Sequence, residues 1–478
     1  MTAQDREVDG VEDALALVAR APAATHDPGG ERGAGRGHDA GEGHGAGAAE
    51  KDRHWAEPWA AARALAARSA GSARSAASAR SAGSARSTAS APSAAAARTH
   101  RVPLGKALGQ ALAEPLAALT DLPSFDTSAM DGWAVSGPGP WSVRHPQGAS
   151  GILAGYGAAD PLPDGVAVRI ATGARVPPDT TAVIRSEHAR TDGVGHLHAE
   201  REVIPGQDIR PRGQECRAGD RLLPAGSLVT PAVLGLAAAA GYDELPTVPR
   251  PRVEVLVLGD ELLVEGVPHD GLIRDALGPM LAPWLRTLGA EVIATRRIGD
   301  DADALCRAIT KSRADLIITT GGTAAGPVDH VHPVLRKVGA ELLVDGVAVR
   351  PGHPMLLARL ASGRHLVGLP GNPLAAVSGL LTLAEPLLRT LAGRAPQIPY
   401  HAPLRDAVHG HPHDTRLVPV VHRDEGLVPL HFNGPAMLRG IATADGLAVV
   451  PPGGARSGEE LEVLDLPWTA SDEGGCFT

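Results

Sequence analysis

The 478-residue sequence has few aromatic residues: Phe, Tyr and Trp together make up 3% of it, although 43% of the residues are hydrophobic. Its cores must therefore be built mainly from Ala, Val, Leu and Ile. It also has only three cysteines, Cys216, Cys306 and Cys476, which lie far apart without a Cys-x-x-Cys pair. This spacing excludes a zinc site evident from the sequence and fits a reducing compartment.

The sequence lacks a positive net charge and long apolar runs. Its formal net charge is −9, and no long basic stripe occurs outside the N-terminal region, which argues against a nucleic-acid surface. No apolar run approaches the ~20 residues of a membrane span, and the first residues are too polar for a signal peptide. We therefore expect a cytoplasmic protein that binds neither nucleic acid nor membranes, with roughly two to four domains.

The first hundred residues are biased in composition. Residues 1–53 are rich in Gly, Ala, His and acidic residues and have no periodicity, which predicts a disordered tail. Residues 55–68 predict the first helix. Residues 69–97 contain a six-residue repeat that begins Gly71-Ser-Ala-Arg-Ser-Ala76. Its period matches neither an α-helix nor a heptad and its small residues bury little surface, so we expect a flexible linker.

The rest of the chain divides by its hydrophobic pattern. Residues 121–250 are rich in proline and glycine, with short β-like runs that predict one or two β-rich parts. Strands and helices then alternate up to residue 395, which predicts a doubly wound parallel α/β sheet. After residue 396 short strands return, as in a small β-barrel. The α/β strands are predicted at 253–258, 291–294, 315–319 and 365–369, and the helices at 277–288, 302–311, 327–338 and 373–391.

The third α/β strand leads into a glycine-rich turn. Residues 314–318 are an apolar run without alternation, which predicts a strand buried on both faces. Gly321 and Gly322 follow directly, and Gly326 precedes a helical pattern. A glycine-rich turn between a strand and a helix N-terminus exposes backbone N–H groups that bind phosphate or another oxyanion. A tight turn without a ligand would use the same glycines, and both interpretations stay open.

Acidic residues follow the predicted strand ends. Asp260 and Glu261 come after the first strand, Asp275 follows some residues later, and Asp329 lies beyond the glycine turn. In doubly wound sheets, ligands bind outside the carboxyl ends of the strands. Carboxylate oxygens suit Mg²⁺, which would bridge them to a phosphate. We therefore expect the four acids to converge on one metal site, although each acid alone has the simpler interpretation of a solvated or capping residue.

The last predicted strand ends in a helix-initiating sequence, Leu369-Pro370-Gly371-Asn372-Pro373. Asn372 is a natural N-cap and Pro373 a natural first helical residue. We therefore expect the next N–H groups of this helix to be free to bind an anion.

A short proline-containing segment, residues 347–354, precedes this strand. Its Arg350 offers the forked donors that suit a tetrahedral oxyanion, and His353 adds an imidazole. A surface turn held by Pro351 and Pro354 is an equally good interpretation.

Seven segments together carry a resemblance to a known family. They are Leu122-Pro-Ser-Phe-Asp-Thr-Ser-Ala-Met-Asp-Gly-Trp-Ala-Val135, Ile170-Ala-Thr-Gly-Ala174 with Glu187, Ile209-Arg-Pro-Arg-Gly213 with Gly219-Asp220, Gly259-Asp-Glu-Leu262, the glycine turn with Asp329, Arg350-Pro-Gly-His-Pro354 and Leu369-Pro-Gly-Asn-Pro373. In this order they resemble the molybdopterin molybdenumtransferases, or molybdenum insertases, which include the gephyrin E domain. The resemblance covers about residues 98–460, and its first and last segments are highly specific.

The resemblance implies four domains. Domain I is elongated, domain II is β-rich and inserted into it, domain III is the molybdopterin-binding α/β domain, and domain IV is a β-barrel. The implied bounds are 54–68, 98–120 and 219–250 for domain I, with 69–97 as a linker insertion, 121–218 for domain II, 251–395 for domain III and 396–478 for domain IV.

The resemblance also implies an activity. Members transfer molybdenum from molybdate onto the dithiolene of adenylylated molybdopterin and release AMP, with Mg²⁺ as the cation. They act as homodimers whose site lies between domain III of one subunit and domain II of the other. A molybdopterin adenylyltransferase and an apo-molybdoenzyme are the implied protein partners. Molybdate and tungstate are tetrahedral dianions of nearly equal size, so both fit this expectation.

The residue pattern and the resemblance together assign roles, and the resemblance matches Asp131, Thr172, Arg210, Glu261, Asp275, Asp329, Pro370 and Pro373 to functional positions of the family. Catalytic roles fall on Asp131, Glu261, Asp275 and Asp329. The metal ligands are Asp260, Glu261, Asp275 and Asp329. Substrate binding falls on Thr172, Arg210, Gly321, Gly322, Gly326, Arg350, His353, Pro370, Gly371, Asn372 and Pro373.

Several neighbouring positions depart from the family pattern. Leu258 and Leu277 stand where threonine and asparagine are usual, and Pro327 stands where an acid is usual. Arg350 and His353 replace two lysines. These changes fall on the expected site rather than on the core. They favour a second hypothesis, a carrier that binds the pterin or the finished cofactor without inserting metal.

A third hypothesis is a scaffold whose arginine-containing linker recruits a partner while the α/β domain is inactive. The intact segment 370–373 and the retained acids count against it. The same acids favour the enzyme over the carrier.

Overall fold

The computed structural model describes most of the chain after the first 55 residues. The expected disordered tail and residues 82–97 of the expected linker lie outside the described part, so these two expectations stay predictions. The described residues are 56–81, 99–145, 151–155, 160–324 and 329–468.

The first helix, α1, spans Trp59–Ser81. It begins later than predicted and continues far beyond the predicted end at residue 68. The prediction of a flexible linker is therefore wrong for residues 69–81. Alanine has the highest helix propensity of all residues, so the repeat of Ala, Ser and Arg continues a helix although its period is not helical.

Helix α1 packs in the core of the α/β part of the chain, whereas the resemblance implied domain I. Ala62, Ala66 and Ala70 are fully buried in that core. Trp59 Nε1 donates a hydrogen bond of 3.1 Å to Thr382 Oγ1. Alanines four residues apart form one smooth face that allows close approach to the helical segment Pro373–Leu391.

Residues 99–250 form two β-rich parts. Their elements are β1 (His100–Pro103), α2 (Leu104–Ala107), β2 (Ala111–Leu112), β3 (Leu116–Ala117), β4 (Thr127–Ser128), β5 (Gly132–Val135), β6 (Trp141–Arg144), β7 (Val166–Ile170), β8 (Ala182–Arg185), β9 (Ala189–Thr191), β10 (His196–Ala199), β11 (Ile209–Arg210), β12 (Arg221–Leu223), α3 (Pro231–Ala239) and β13 (Glu244–Val248). The outer segments form a three-stranded sheet in the order β1-β13-β2. The middle segment forms a six-stranded sheet in the order β8-β5-β7-β6-β10-β9.

Residues 251–395 form the α/β part. Its elements are β14 (Arg252–Leu258), β15 (Leu262–Leu263), β16 (Ile273–Arg274), α4 (Leu277–Thr287), β17 (Glu291–Ile298), α5 (Ala302–Lys311), β18 (Leu316–Thr320), α6 (Val331–Lys337), β19 (Glu341–Asp345), β20 (Val349–Arg350), β21 (Leu356–Arg359), β22 (His365–Leu369), α7 (Pro373–Gly379) and α8 (Glu385–Leu391). The sheet order is β17-β14-β18-β22-β21-β19. Helices cover both faces, so the doubly wound prediction is confirmed. Only β21 among these six strands runs in the opposite direction: a short turn joins it to β22, and it pairs antiparallel with both β22 and β19.

The register brings the carboxyl ends of four parallel strands to one edge. Leu258 of β14 pairs with Ile298 of β17, and Thr320 of β18 pairs with Leu369 of β22. Loops that leave these four residues therefore lie side by side, as expected for the binding edge of a doubly wound sheet.

The helical segment Pro373–Leu391 is not a regular helix throughout. A π-helical segment, Leu380–Ala384, separates α7 from α8. Pro386, near the start of α8, has no N–H to donate to the preceding turn, which explains the widened turn. By length and composition this segment could cross a membrane, but 83% of its apolar window is buried inside the protein. The apolar composition of this segment is therefore explained by its position in the protein core.

Residues 396–468 form the last part. Its elements are β23 (Tyr400–Pro403), β24 (Val408–His409), β25 (Thr415–Arg423), β26 (Gly426–Pro429), α9 (Arg439–Thr443), β27 (Gly446–Val450), β28 (Gly454–Ala455) and β29 (Glu460–Asp465). The sheet order is β20-β25-β27-β29-β23, with β26 also paired to β25. A bridge between Leu404 and Leu427 brings the two ends together around an aliphatic core, as predicted for a small barrel. Strand β20 joins this sheet to the α/β part.

His365 is a buried histidine. It is the first residue of β22, so it lies at the amino ends of the parallel strands, opposite to their carboxyl ends. Only 1% of it is exposed. Burial, helped by the cation of Arg359, lowers the pKa of His365 from 6.5 to about 4, and a hydrogen bond with the backbone of Ser69 opposes this shift. The folded state therefore favours the neutral ring.

We expect acid to destabilise the protein through His365. Since the folded pKa is the lower one, its stabilising effect is complete above pH 6.5 and is lost as the pH falls toward 4. The free energy of unfolding should drop by about 2 kcal/mol between pH 7 and pH 5 from this group. Urea unfolding at both pH values measures it. His365→Leu should remove that part of the pH dependence, and His401→Leu, at an exposed position, should retain it; equal pH dependence in all three proteins would refute the assignment.

Candidate active site

A cavity of about 180 Å³ lies at the carboxyl edge of the parallel strands. The turns that follow β14, β17 and β18 form its walls, so residues far apart in sequence meet there. We call it the glycine-turn cavity. Its lining residues are Leu258, Gly259, Glu261, Gly299, Asp300, Asp301, Leu305, Gly321, Gly322, Ala324, Asp329 and His330.

The glycine turn needs its glycines for the backbone path. Gly321 and Gly322 have φ values of +79° and +65°, which side-chain-bearing residues rarely adopt. Gly321 N donates to Leu369 O at 2.8 Å, and a Cβ on Gly371 would lie 3.6 Å from Gly321 Cα. The turn therefore lies against Leu369 and Gly371 at the end of β22. Gly326 and Pro327 lie outside the described residues.

Glu261 and Asp329 are the two predicted acids in this cavity. Glu261 folds over Gly259, where any side chain would collide with its carboxylate. Asp329 Oδ1 accepts a hydrogen bond from Val331 N at 3.1 Å, and 8% of the Asp329 side chain is exposed. Burial raises the pKa of Asp329, although the bond from Val331 N and the neighbouring His332 oppose the shift. An acid held in this way can bind a cation or a proton.

Asp260 and Asp275 are not among the described lining residues of this cavity, so the expected convergence of four acids is not seen within a single chain. Asp260 Oδ2 accepts from Asp300 N at 3.3 Å. Asp275 Oδ1 accepts from Gly278 N, in the first turn of α4, at 2.9 Å. One oxygen of each carboxylate thus accepts from a local backbone N–H, as in the simpler role that the sequence also allowed.

The described residues contain no group of three or more His, Cys, Asp or Glu side chains that could hold a metal ion. A cage made only of protein ligands therefore does not fit. Mg²⁺ usually binds through one or two carboxylates and completes its shell with water and substrate phosphates. Glu261 and Asp329, which line one cavity, fit that smaller role.

The helix that follows β22 does not have the free N–H groups that we expected. Asn372 is at the N-cap of α7 and Pro373 is its first residue, as predicted, but the Asn372 side chain makes no capping bond. Leu374 N and Ala375 N donate to Pro435 O at 2.9 and 3.3 Å. A turn of the last domain thus occupies this helix end, and that part of the anion-site prediction is wrong.

Arg350 and His353 also have partners within the chain. Arg350 Nε lies 2.8 Å from Asp414 Oδ2, and half of the Arg350 side chain is exposed. His353 Nδ1 lies 2.9 Å from Val347 O, so this nitrogen carries a proton, because a carbonyl oxygen only accepts. Nε2 is then the ring nitrogen left for other contacts. The ion pair of Arg350 with Asp414 connects the α/β part to the barrel. An anion would therefore contact the terminal nitrogens of Arg350 and Nε2 of His353.

The other predicted residues form a second cluster, in the six-stranded part. Asp131 Oδ1 accepts from Thr172 N at 2.6 Å, and this bond together with the Thr172 hydroxyl lowers the pKa of Asp131. The turn after Thr172 contacts β4, since Gly173 N donates to Ser128 O. Arg210 is exposed on β11, which pairs with β4 on its other side. None of the three residues lines the described walls of the glycine-turn cavity.

Sequence reasoning missed Asp300 and Asp301, which line the glycine-turn cavity. We predicted that the second strand ends at residue 294, but β17 continues to Ile298. The signal was present, since Gly299-Asp300-Asp301 follows that strand end as Gly259-Asp260-Glu261 follows β14. Asp301 Oδ1 caps α5 by accepting from Asp303 N and Ala304 N.

Three family descriptions match consecutive parts of this chain. They are the MoeA N-terminal region (domain I and II) at residues 75–241, a probable molybdopterin binding domain at 254–390 and the MoeA C-terminal region (domain IV) at 401–466. The last two coincide closely with the α/β part and the barrel.

The chain is also similar to curated proteins over most of their length. It is 36% identical over 393 residues to molybdopterin molybdenumtransferase 2 of Mycobacterium tuberculosis, covering 78% of this chain and 96% of that protein. It is 32% identical over 392 residues to the molybdopterin molybdenumtransferase of Staphylococcus aureus, covering 78% and 91%. The crystal structure of the molybdopterin biosynthesis MoeA protein of Pyrococcus horikoshii superposes with a TM-score of 0.64 at 27% identity, over 77% of this chain and 94% of that one.

Proposed function

The chain belongs to the molybdopterin molybdenumtransferase family, and from this premise we propose that it inserts molybdenum from molybdate into adenylylated molybdopterin with release of AMP. The observation that carries the proposal is the glycine-turn cavity, which Glu261 and Asp329 line together with Gly321 and Gly322. Backbone amides beside carboxylates suit a phosphate that is bound together with a cation.

In this proposal the turn at Gly321 and Gly322 lets phosphate oxygens approach the backbone without steric hindrance. Glu261 and Asp329 would hold Mg²⁺ jointly with those oxygens, and the ion would supply positive charge against the phosphates. Asp300 and Asp301 add negative charge to the same walls, so the cavity favours a cation between protein and substrate.

We further propose that the complete site forms in a homodimer. A cavity of about 180 Å³ is smaller than the ~300–1,000 Å³ of sites that enclose a drug-sized ligand. Asp131, Thr172 and Arg210 lie in another part of the chain, and domain II of a second subunit would bring them to the glycine-turn cavity. An adenylyltransferase would supply the pterin and an apo-molybdoenzyme would accept the product, in the cytoplasm.

One observation favours the carrier as the second candidate. The N–H groups of Leu374 and Ala375 and the Arg350 guanidinium already have partners in the barrel. Fewer donors are then left in this subunit for molybdate. A carrier would bind the adenylylated pterin and leave its phosphate bond intact.

We expect the purified protein to release AMP from adenylylated molybdopterin only when molybdate and Mg²⁺ are both present. Chromatographic measurement of AMP over time, with each component omitted in turn, checks this expectation. Tight binding of the pterin without molybdate-dependent AMP would reject the enzyme and leave the carrier.

A further inference from the structure

His332, the second residue of α6, lies between two carboxylates. Its Nε2 is 2.8 Å from Asp345 Oδ1, and its Nδ1 is 3.6 Å from Asp329 Oδ2. The second distance is an electrostatic contact rather than a hydrogen bond. The imidazole thus connects the acid in the glycine-turn cavity to Asp345 at the end of the edge strand β19.

The two oxygens of Asp329 are held from different sides. Oδ1 accepts from Val331 N at 3.1 Å, which belongs to the same helix start. Oδ2 faces the His332 ring. A Cβ on Gly322 would lie 3.9 Å from Asp329 Oδ1, so this orientation keeps the carboxylate beside the glycine turn. The bond from Val331 N restrains only Oδ1. The His332 imidazole, beside Oδ2, limits the rotation of the carboxylate about its bond to Cβ.

Asp345 gives the imidazole a fixed position. It lies in the antiparallel edge of the sheet, where β19 pairs with β21, so its backbone is held by the ladder. The next residue, Gly346, packs against His353: a Cβ there would lie 3.8 Å from His353 Nε2. Asp345 therefore lies just before the turn in which Val347 N donates to His353 O at 2.9 Å.

We propose that His332 is a positioning residue, which is anchored on Asp345 and holds the Asp329 carboxylate toward the glycine turn. Its effect on turnover rests on the proposed function, whereas the orientation of Asp329 does not. The competing interpretation is that His332 and Asp345 form a surface pair that only stabilises α6. Among the described residues, Asp329 and Asp345 are the ion-pair partners of the ring, and His330 acts electrostatically on the same Asp329 carboxylate.

Crystal structures of the full chain as wild type, His332→Ala, His332→Asn and His332→Gln test the orientation directly. The Asn amide can place a donor near the position of Nδ1, and the longer Gln amide can reach the position of Nε2. We expect the Asp329 carboxylate to turn away from Gly322 in His332→Ala and His332→Gln, and to keep its orientation in His332→Asn. Lys337→Ala is the matched control. Lys337 lies on the same helix as His332, and the substitution removes its exposed ion pair with Asp303 of α5.

Kinetics of molybdate-dependent AMP release give the second measurement. Removing a residue that orients a site ligand costs 10–100-fold, so kcat of His332→Ala should fall by roughly that factor. KM for the pterin should stay within about twofold, His332→Asn should recover part of kcat, and Lys337→Ala should match the wild type. Asp345→Asn should have little further effect in the His332→Ala background, because the two residues act through one contact.

The inference is overturned if Asp329 keeps its orientation in His332→Ala, whatever the kinetics show. If Asp329 has moved but kcat of that variant stays near the wild-type value, the positioning by His332 is supported and the effect of that orientation on turnover is refuted. If the wild type itself releases no AMP, the proposed function fails separately, and the crystal structures alone decide whether His332 positions Asp329.

Discussion

Asp329→Asn should lower kcat for AMP release by about 100-fold or more, with little change in the free energy of unfolding. The amide oxygen can still accept from Val331 N, so the start of α6 keeps its bond. What the substitution removes is the negative charge and the second oxygen acceptor beside the glycine turn. A cation shared with the substrate phosphates then loses a ligand, so the loss should be partly relieved by raising the Mg²⁺ concentration.

Asp303→Asn is the control for Asp329→Asn. Asp303 is an exposed acid near the start of α5 that pairs with Lys337, and it is not among the described lining residues of the glycine-turn cavity. Its kcat should stay within about twofold of the wild type, because exposed ion pairs contribute little. If Asp329→Asn turns over at the wild-type rate at limiting Mg²⁺, the role of Asp329 in the site is refuted.

Subunits with damage in different domains should restore each other's activity. Arg210→Ala alters the cluster in the six-stranded part, and Asp329→Asn alters the glycine-turn cavity; each alone should be nearly inactive. If the site forms between subunits, random pairing makes about half of the dimers mixed, and each mixed dimer contains one intact site of two. A mixture of the two variants, exchanged to equilibrium, should therefore reach about a quarter of wild-type activity.

The matched control combines two lesions of the same cluster, Arg210→Ala and Asp131→Asn. Every site in a mixed dimer then carries one lesion, so activity should stay at the level of the separate variants. Differently tagged subunits allow the mixed dimer to be purified before the assay. Absence of activity in purified mixed dimers of Arg210→Ala and Asp329→Asn would contradict a site shared between subunits.

The α/β part was predictable because its strands are uninterrupted apolar runs and its helices carry amphipathic patterns. The predicted strand 365–369 and helix 302–311 match the observed β22 and α5. Strand ends are harder to predict, since backbone pairing continues past the apolar residues: β17 continues through Thr295, Arg296 and Arg297. Because of that continuation, the turn that lines the site contains Asp300 and Asp301 and follows Ile298, four residues beyond the predicted strand end at residue 294.

Contacts between distant segments explain the other differences. Nothing in the sequence around Asn372 indicates that Pro435 O would accept from the first N–H groups of α7. The partner of Arg350, Asp414, is likewise remote in the chain. For Asp275 the sequence allowed both a metal ligand and a helix cap, and the structure shows that its Oδ1 accepts from the nearby N–H of Gly278. Local pattern predicts which segments form elements, whereas these pairings depend on how the domains pack.

Helix α1 shows the limit of judging a repeat by its period. The alanines that made residues 69–81 resemble a linker are also good helix formers, and Ala66 and Ala70 pack in the α/β core. The backbone of Ser69, in the same helix, also makes a hydrogen bond with His365.

One measurement tests the central claim most directly: the ratio of AMP released to active cofactor formed in one reaction. Wild-type protein, adenylylated molybdopterin, Mg²⁺ and increasing molybdate are incubated with an apo-molybdoenzyme, and AMP and restored enzyme activity are both quantified. Metal insertion coupled to phosphate cleavage predicts that both rise together with molybdate, in equal molar amounts, and that Asp329→Asn lowers both alike. AMP release that does not depend on molybdate, or restored activity without AMP, would contradict the account.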